Sequence, residues 1–344
     1  MAVNEYYTAD VQGPFEEFEL GAFPLSTGFT LPEARLAYKT HGTLNEARDN
    51  AILLPHMYTG TLAFMDAYVG EGRPLDPTTY FIIQPSQLGS GMGSSPSNTP
   101  PPFNGAAFPP VAIVDDVHAQ HRLITEHFGI ETLQLVSGWS MGGQQTYGWA
   151  VQYPDMVKRA MPIAATAVTP EHNRMFIDLH TQLLTDDPAW EGGFYTDSHA
   201  VHRGLRRHAE ALALMGITAE ALRVQAYREL GFQTRDDWQR GFVEAYFLPM
   251  DPNNLLCTAR KWRAGEIGAQ DADAALGRIT ARTRAVAFNG DLFFPPEVIE
   301  EDAARIAAGE FRSIGSVWGH FTMFGLREGD VAEIDAMYAE ILAS

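Results

Sequence analysis

Apolar runs alternate with amphipathic stretches along most of this chain. Segments of strand length and apolar character occur at residues 31–38, 51–54, 80–83, 133–136, 159–164, 284–288 and 313–317. Helices are predicted between several of them, at residues 117–128 and from the turn after 133–136 as far as Tyr153. Strands that alternate with helices are typical of a mostly parallel sheet wrapped by helices. The pattern therefore predicts an α/β fold.

The strand pattern stops between about residues 169 and 277. Helical stretches replace it, and they are rich in aromatic residues: Phe176, Trp190, Phe194, Tyr195, Trp238, Phe242, Tyr246 and Phe247. We therefore predict an α/β core formed by residues 1–168 and 278–344. Residues 169–277 are predicted to form a helical lid insertion that covers the active edge of the sheet. Most of its aromatic side chains are expected to pack within the insertion rather than against a substrate.

A Gly-x-Ser-x-Gly pattern follows the strand at 133–136. Residues 138–143 read Gly-Trp-Ser-Met-Gly-Gly, and a helical stretch comes next. In this strand–turn–helix setting the serine occupies a strained backbone position that lifts its hydroxyl above the sheet edge, and side chains at the flanking glycines would collide. Ser140 is therefore the candidate nucleophile. The alternative is that Ser140 only caps the helix.

A serine hydroxyl is a poor nucleophile at neutral pH and needs a base and an orienting acid. In the open α/β-hydrolase arrangement the chain order is Ser, acid, His, and each partner follows a later strand. Asp291 follows the strand at 284–288, and His320 follows the strand at 313–317. We predict that Asp291 is the acid and His320 the base, with Asp251 as an alternative acid.

Two backbone N–H groups are expected to form an oxyanion hole, which binds the negative charge of the tetrahedral intermediate. One belongs to Met141, the residue after the candidate nucleophile. The other is expected in the loop at residues 55–60, where Tyr58 and Thr59 are both candidates. His56 lies nearby in the sequence, and no direct role is expected for it.

Composition and charge exclude several kinds of site and binding partner. The chain has 344 residues, 45% of them hydrophobic, one cysteine (Cys257) and a net charge of −19. One cysteine excludes an intramolecular disulfide and a cysteine zinc site, and the charge disfavours nucleic acid and anionic membranes as partners. The first residues lack signal-peptide features, and no apolar run approaches the ~18 residues of a membrane span. We therefore expect a soluble, cytoplasmic protein that acts on a small molecule.

Three further clusters are expected to have no chemical role. The glycine run at residues 89–93 lacks the Gly-Lys-Ser/Thr of a nucleotide-binding loop. A surface helix is expected to carry Asp115, Asp116, His118 and His121, and serine chemistry needs no metal there. The solvated start of another helix is expected to carry Glu297, Glu300, Glu301 and Asp302. We predict no metal and no cofactor.

Several motifs outside the elbow point to one family: AYKTHGTLN at residues 37–45, Tyr-Thr-Gly at 58–60, SSPSNT at 94–99, AQHRL at 119–123, DPAWEGG at 187–193 and FPPE at 294–297. Over most of its length the chain resembles the homoserine O-acetyltransferase-like branch of the α/β hydrolases. The resemblance implies a Ser-Asp-His triad at Ser140, Asp291 and His320, a helical lid, and a homodimer assembled through lid helices. That family contains acyl-CoA-dependent acetyltransferases and also esterases that release short acyl groups to water.

Two departures from the transferases bear on the reaction. In those enzymes an Asp that meets the substrate amino group typically follows the catalytic His, whereas here Phe321 follows His320. They also carry an arginine that grips the substrate carboxylate. At that position this chain has Ala209, unless a shifted register brings Arg206 or Arg207 there. Phe321 is thus a candidate substrate-binding residue.

The preferred interpretation is a serine carboxylic-ester hydrolase that acts on short-chain, chiefly acetyl, esters of uncharged alcohols. The alternative is an acyl-CoA-dependent O-acetyltransferase with homoserine or another alcohol as acceptor. For homoserine, each missing charged contact would cost about 1.5–3 kcal/mol. A binding module that kept only the fold is a third possibility, and intact residues at all three triad positions argue against it.

Overall fold

A central β-sheet organises the structure, a computed structural model that describes residues 4–268 and 271–344. Within these residues the strands are β1 (Glu16–Pro24), β2 (Thr30–His41), β3 (Ala51–Leu53), β4 (Phe81–Pro85), β5 (Leu133–Trp139), β6 (Arg159–Ile163), β7 (Arg282–Phe288) and β8 (Gly309–Ile314). They lie in the order β1-β2-β4-β3-β5-β6-β7-β8. The pairs β1–β2 and β2–β4 are antiparallel, and the other neighbours are parallel. The predicted α/β architecture is confirmed.

Helices flank this sheet. In the described residues the α-helices are α1 (Ala9–Gln12), α2 (Ile113–Arg122), α3 (Met141–Gln152), α4 (Glu171–Thr185), α5 (His202–Gly216), α6 (Ala219–Arg223), α7 (Arg235–Trp238), α8 (Ala245–Phe247), α9 (Pro252–Ala264), α10 (Ala272–Leu276), α11 (Pro296–Ala304) and α12 (Glu328–Leu342). Two π-helical turns, Leu123–His127 and Gln239–Glu244, extend α2 and α7. A 3₁₀ turn at Gly319–Phe324 carries His320.

Both faces of the parallel strands are buried. On β3, Leu53 belongs to an apolar cluster that also contains Val117 of α2 and Trp149 of α3. The preceding residue, Ile52, belongs to a cluster on the opposite face that contains Tyr338 of α12. Successive strand side chains point to opposite faces, so a strand covered on both sides is apolar at most positions. This explains why the central strands were visible in the sequence as continuous apolar runs.

The two edge strands differ from the apolar pattern. Strand β1 has no counterpart in that pattern, because Glu16, Glu17 and Glu19 give it a polar, largely exposed surface. Strand β8 ends at Ile314, whereas the pattern places a strand at 313–317. An edge strand with one exposed face has no continuous apolar run. The residues after Ile314 form the loop that leads to His320.

Helix α2 corrects the expectation that Asp115 and Asp116 lie on a surface, because both side chains are buried. Asp115 accepts hydrogen bonds from the backbone N–H groups of Ser26 (2.7 Å) and Ala112 (2.8 Å). Asp116 forms an ion pair of 2.5 Å with Lys261 of α9, and both side chains are fully buried. Carboxylates are favoured in the first turn of a helix. Burial nevertheless raises the pKa of Asp116 to about 6, against the opposing effect of Lys261.

The acidic segment of α11 needs a smaller correction. Glu297, Glu300 and Glu301 are exposed, as expected. Asp302 is partly buried, and it accepts a hydrogen bond of 2.7 Å from the backbone N–H of Ala167. Burial raises the pKa of this carboxyl to about 6. Asp302 therefore anchors the chain after β6 rather than facing solvent.

The chain between β6 and β7 contains helices α4 to α10 and no strand within its described residues. We call residues 164–281 the β6–β7 connection. Its buried side chains include Leu205 of α5 and Trp262 of α9, and they share one cluster with Phe293 and Phe294 after β7. The exact limits of a lid insertion, 169 and 277, stay a prediction. No helix in the described part of the chain is both long and apolar enough to cross a membrane.

Candidate active site

The turn between β5 and α3 holds Ser140 in a strained conformation. Its φ of 53° and ψ of −120° lie outside the usual regions for a residue with a side chain. The side chain of Ser140 makes no capping hydrogen bond to α3 within the described residues, so the capping alternative is wrong. Its backbone N–H donates to the carbonyl of Ile163 at 2.9 Å, which ties the turn to β6.

Glycine is required on both sides of this turn. A Cβ atom at Gly138 would lie 2.7 Å from the carbonyl oxygen of Pro55, and one at Gly142 would lie 2.9 Å from that of His56. Real Cβ atoms do not approach backbone oxygens this closely. The turn and the loop after β3 are therefore packed backbone against backbone.

The structure brings His320 and Asp291 together. The Nδ1 of His320 lies 2.7 Å from Oδ2 of Asp291, and both side chains are buried. The other oxygen of Asp291 accepts hydrogen bonds from the backbone N–H groups of Phe293 (2.8 Å) and Phe294 (3.1 Å). A carboxylate beside Nδ1 keeps the proton on that nitrogen and leaves Nε2 free to accept another.

The alternative acid, Asp251, lies elsewhere. It is buried at the start of α9, where it accepts hydrogen bonds from the hydroxyl of Tyr195 (2.7 Å) and the backbone N–H of Asn253 (2.9 Å). Asp251 thus caps a helix, and the structure does not bring it to His320. Its pKa is raised, chiefly by burial.

Three backbone N–H groups near Ser140 are without an acceptor among the described residues: those of Met141, Tyr58 and Thr59. Met141 is the first residue of α3, whose N-terminus favours negative charge. Tyr58 and Thr59 belong to the loop after β3, and Thr59 has a positive φ of 64°. Unpaired buried N–H groups are rare in folded proteins. These groups are therefore available to bind an oxyanion.

Ser140 and His320 line one cavity of about 540 Å³, part of it open to solvent. Its other walls are nearly all apolar and come from the loop after β3, the β6–β7 connection and the segments after β7 and β8: Met57, Tyr58, Thr59, Leu212, Phe242, Val243, Tyr246, Phe247, Trp262, Phe293, Phe321, Met323 and Phe324. Of the aromatic residues singled out in the connection, Phe242, Tyr246 and Phe247 reach this cavity. The cavity therefore suits a small uncharged ligand.

The structure also places the residues that distinguish this chain from the transferases. Phe321 lines the cavity, and its ring fills the space that a side chain at Gly216 would occupy. Ala209 is fully buried. Arg206 and Arg207 are exposed on α5, and Arg206 pairs with Glu244 at 3.3 Å. Neither arginine lines the cavity, so the shifted-register alternative is wrong.

A polar network that the sequence does not signal lies beneath the loop after β3. The amide Nε2 of Gln87 donates to the carbonyls of His56 (2.5 Å) and Met57 (3.2 Å). The ammonium of Lys261, already paired with Asp116, also donates to Oε1 of Gln87 at 3.3 Å. These groups fix the start of the loop. Burial lowers the pKa of His56 to about 4, so this imidazole is neutral.

The side chains of the described residues do not form a candidate metal site. Over residues 4–268 and 271–344, no group of three or more His, Cys, Asp or Glu is arranged to hold a metal ion. His121 stacks on Tyr153 with ring centroids 3.9 Å apart. This contact occupies its ring in packing between α2 and the end of α3.

Comparison with known proteins identifies relatives along the whole chain. The chain is 45% identical over 346 residues to the ethyl acetate hydrolase of Pseudomonas veronii, which covers 99% of both proteins. Its structure matches that of an acetylester hydrolase from Corynebacterium glutamicum with a TM-score of 0.98 and 40% identity over 100% of both chains. It is 30% identical over 345 residues to the homoserine O-acetyltransferase of Methanococcoides burtonii, with 90% of this chain and 70% of that protein covered.

These relatives confirm the resemblance to the homoserine O-acetyltransferase-like branch, since they include both ester hydrolases and acetyltransferases. A protein family described as "alpha/beta hydrolase fold" also matches this chain over residues 50–324. That range contains Ser140, Asp291 and His320. The chain belongs to the α/β-hydrolase family.

Proposed function

We propose that this protein is a serine carboxylic-ester hydrolase that acts on short-chain, chiefly acetyl, esters of uncharged alcohols. The observation that carries the proposal is that Ser140 and His320 line the same apolar cavity, with Nδ1 of His320 2.7 Å from Oδ2 of Asp291. Full-length similarity to an ethyl acetate hydrolase and to an acetylester hydrolase supports the same substrate class. The reaction class needs no metal or cofactor.

In the proposed mechanism, Ser140 Oγ attacks the ester carbonyl while His320 Nε2 accepts its proton. Asp291 holds the imidazole in the required tautomer and stabilises the imidazolium. The N–H of Met141 and that of Tyr58 or Thr59 bind the negatively charged oxygen of the tetrahedral intermediate. His320 then returns the proton to the departing alcohol. Water attacks the acyl-serine in the same way, and the carboxylic acid leaves.

The cavity walls favour water over an amino-acid acceptor. A zwitterion such as homoserine carries two charges, and burying a charge without a partner is costly. Phe321 and the fully buried Ala209 offer it no charged contact, and Arg206 and Arg207 lie outside the cavity. The second candidate, an acyl-CoA-dependent O-acetyltransferase, is kept because of the 30% identity to a homoserine O-acetyltransferase.

The acyl-enzyme step is tested with a fluorophosphonate probe, which reacts with activated serines. We expect the wild-type protein to be labelled and to hydrolyse a nitrophenyl acetate. Ser140→Ala should lose the label and lower turnover by several orders of magnitude. Ser137→Ala is the matched control, because Ser137 is a buried serine of β5 whose hydroxyl bonds to the carbonyl of Met161 at 2.8 Å. Labelling that survives Ser140→Ala would overturn the assignment.

Partition of the acyl group separates hydrolysis from transfer. Both reactions pass through the same acyl-serine with ping-pong kinetics, so they differ only in what attacks it. Acetate release is measured with acetyl-CoA and with an acetyl ester, with and without millimolar L-homoserine. We expect acetate as the dominant product and no diversion of the acyl group. Faster formation of O-acetylhomoserine than of acetate would favour the transferase.

The proposal includes a core of residues 1–168 and 278–344, a lid insertion of residues 169–277 and a homodimer formed through the lid. An exposed apolar patch supports the dimer. Met175 and Leu179 of α4 are 74% and 55% exposed, and Leu292 is 49% exposed. His172 of α4 contacts the carbonyl of Leu292 at 2.8 Å, which places Leu292 beside the first turn of this helix. Apolar patches of this kind often mark protein interfaces.

The cytoplasm is the proposed compartment. Its support is Cys257, a buried free thiol that is compatible with a reducing environment. Cell fractionation of the host with an antibody to the protein tests this assignment. Recovery of the protein outside the cytoplasmic fraction would contradict it.

A further inference from the structure

Two side chains of the β6–β7 connection hold the loop that contains the candidate oxyanion donors. The hydroxyl of Tyr58 lies 2.8 Å from Nε2 of His208 on α5, a residue 150 positions away in the sequence. The hydroxyl of Tyr246 on α8 donates to the carbonyl of Thr59 at 3.2 Å and lies 3.3 Å from its Oγ1. Adjacent loop residues are thus each bonded to a different helix of the connection.

The direction of the Tyr58–His208 hydrogen bond follows from the second ring nitrogen. Nδ1 of His208 lies 2.9 Å from the carbonyl oxygen of His180, so Nδ1 carries the proton and Nε2 accepts one from Tyr58. Burial lowers the pKa of His208 to about 3 and raises that of Tyr58 well above its usual range. The imidazole is therefore neutral and the phenol protonated at ordinary pH, and the bond persists.

The loop needs this support. Thr59 is β-branched, and its φ of 64° is a strained conformation that persists only where neighbouring groups impose it. The start of the loop is fixed by Gln87, whose amide binds the carbonyls of His56 and Met57. Those contacts stop before the N–H groups of Tyr58 and Thr59. Beyond Met57, the side-chain hydrogen bonds described above for Tyr58 and Thr59 come from the β6–β7 connection.

We propose that His208 and Tyr246 are positioning residues for the oxyanion hole, because they clamp Tyr58 and Thr59 so that a loop N–H points at the developing oxyanion. The proposal rests on the ester-hydrolase function above. Tyr246 also lines the cavity, so its substitution would change substrate contacts as well. His208 does not line the cavity and reaches the loop through its hydrogen bond to Tyr58, which makes it the residue to test.

The matched pair for the test is His208→Phe and His180→Phe. The two imidazoles stack with ring centroids 3.2 Å apart and are fully buried. Within the described residues neither ring nitrogen of His180 has a hydrogen-bond partner, so His180→Phe keeps a ring in the stack and breaks no side-chain hydrogen bond. His208→Phe keeps a ring and breaks both side-chain hydrogen bonds of His208, the one to Tyr58 and the one to the carbonyl of His180. Only His208→Phe should disturb the loop that contains Tyr58 and Thr59.

For His208→Phe we expect kcat on a nitrophenyl acetate to fall about 10- to 100-fold, because a misplacement of about 1 Å can cost 10²-fold. KM should change less than kcat, since His208 itself is not part of the cavity wall. His180→Phe should retain kcat close to the wild-type value. His208→Gln, which restores an acceptor, should recover part of the loss. Equal losses of kcat in both Phe variants would mean that the stack only supports folding, and would overturn the proposal.

Inhibitor binding gives a readout that a loss of folded protein does not mimic. A trifluoromethyl ketone forms a tetrahedral adduct with Ser140 and places an oxyanion in the hole, whereas an uncharged ether of similar shape does not. In His208→Phe, the adduct should weaken by the same factor as kcat/KM, and the ether should bind as in the wild type. An unchanged adduct affinity would overturn the proposal.

If His208→Phe does not fold, Tyr58→Phe tests the same bond from the loop side. It removes the hydroxyl and should lower kcat by a similar factor, so a wild-type kcat in Tyr58→Phe would contradict the clamp. Failure of the underlying function is distinguishable. A wild-type protein without ester turnover would remove the proposed function and the clamp with it, whereas wild-type turnover that is insensitive to both substitutions would remove the clamp alone.

Discussion

Three buried imidazoles should make this fold sensitive to acid. Burial lowers the pKa of His56 to about 4 and that of His208 to about 3, and it lowers the pKa of His180 well below its usual value. In the unfolded chain each imidazole has a pKa of about 6.5. A histidine whose pKa is lower in the folded state contributes its stability above pH 6.5, and the contribution is lost as the pH falls toward the folded pKa.

The loss expected for His208 follows from these values. Between pH 8 and pH 5 the unfolded imidazole binds a proton, and the folded one stays neutral. At about 1.4 kcal/mol per pH unit over the ~1.5 units from 6.5 to 5, the contribution is about 2 kcal/mol. Asp116 and Asp302 act in the opposite direction, because their pKa of about 6 favours the folded, protonated form as the pH falls. The contribution of one imidazole to the pH dependence of stability must therefore be separated from the others by substituting that histidine.

His208→Phe removes this titration. The free energy of unfolding is measured by urea denaturation at pH 8 and pH 5 for the wild-type protein and the variant. We expect the loss of stability between the two pH values to be about 2 kcal/mol smaller in the variant. Each protein is compared with itself, so the constant cost of the substitution cancels. An equal loss in both proteins would refute the reasoning, because it would mean that the His208 imidazole gains the same proton whether folded or unfolded.

Three further changes test the site and the surface. Asp291→Asn should lower kcat about 10³- to 10⁴-fold because His320 is no longer held in the right tautomer, and a variant with near-normal turnover would exclude Asp291 as the acid. Gly216→Ala should push the Phe321 ring into the cavity and raise KM for acetyl esters several-fold with folding retained; an unchanged KM would contradict this contact. Leu179→Asp should convert a dimer to a monomer in analytical ultracentrifugation, and an unaltered mass would exclude the α4 patch as the interface.

Much of the core could be predicted because its strands are buried on both faces. Such strands are apolar at most positions, so β3, β4, β5, β6 and β7 are visible as short, nearly continuous apolar runs. Edge strands do not follow this pattern, because one of their faces is exposed to solvent. Strand β1 carries glutamates on its exposed face, and β8 has too few buried positions to be placed correctly. The error in each case comes from exposure, which a local pattern does not report.

The triad candidates could be predicted because each is marked by its place in the chain. Ser140 is flanked by glycines that no other residue could replace, and Asp291 and His320 follow the last two strands. The register of α5 could also have been decided from its amphipathic pattern. Leu205, His208 and Ala209 form its buried side, and helical spacing then forces Arg206 and Arg207 outward.

The support of the site could not be predicted, because it depends on pairs that are distant in sequence. The partner of Tyr58 lies 150 positions away, and Asp116 meets Lys261 across 145 positions. Buried polar side chains such as these carry no local signal, since an isolated histidine or lysine in an amphipathic helix is usually solvated. Only the tertiary structure pairs them.

The close backbone contact between the elbow and the loop after β3 has a consequence for protein engineering. The carbonyls of Pro55 and His56 rest against Gly138 and Gly142 with no side chain between them. The contact between the turn that carries Ser140 and the start of the loop after β3 is therefore set by main-chain packing and does not depend on side chains of the cavity wall. Leu212, Phe242 and Val243 belong to the part of the cavity wall that the β6–β7 connection provides, and none of them is bonded to the loop after β3 in the contacts described above. A combinatorial library restricted to these three positions should shift the range of accepted esters while leaving the geometry of bond cleavage unchanged.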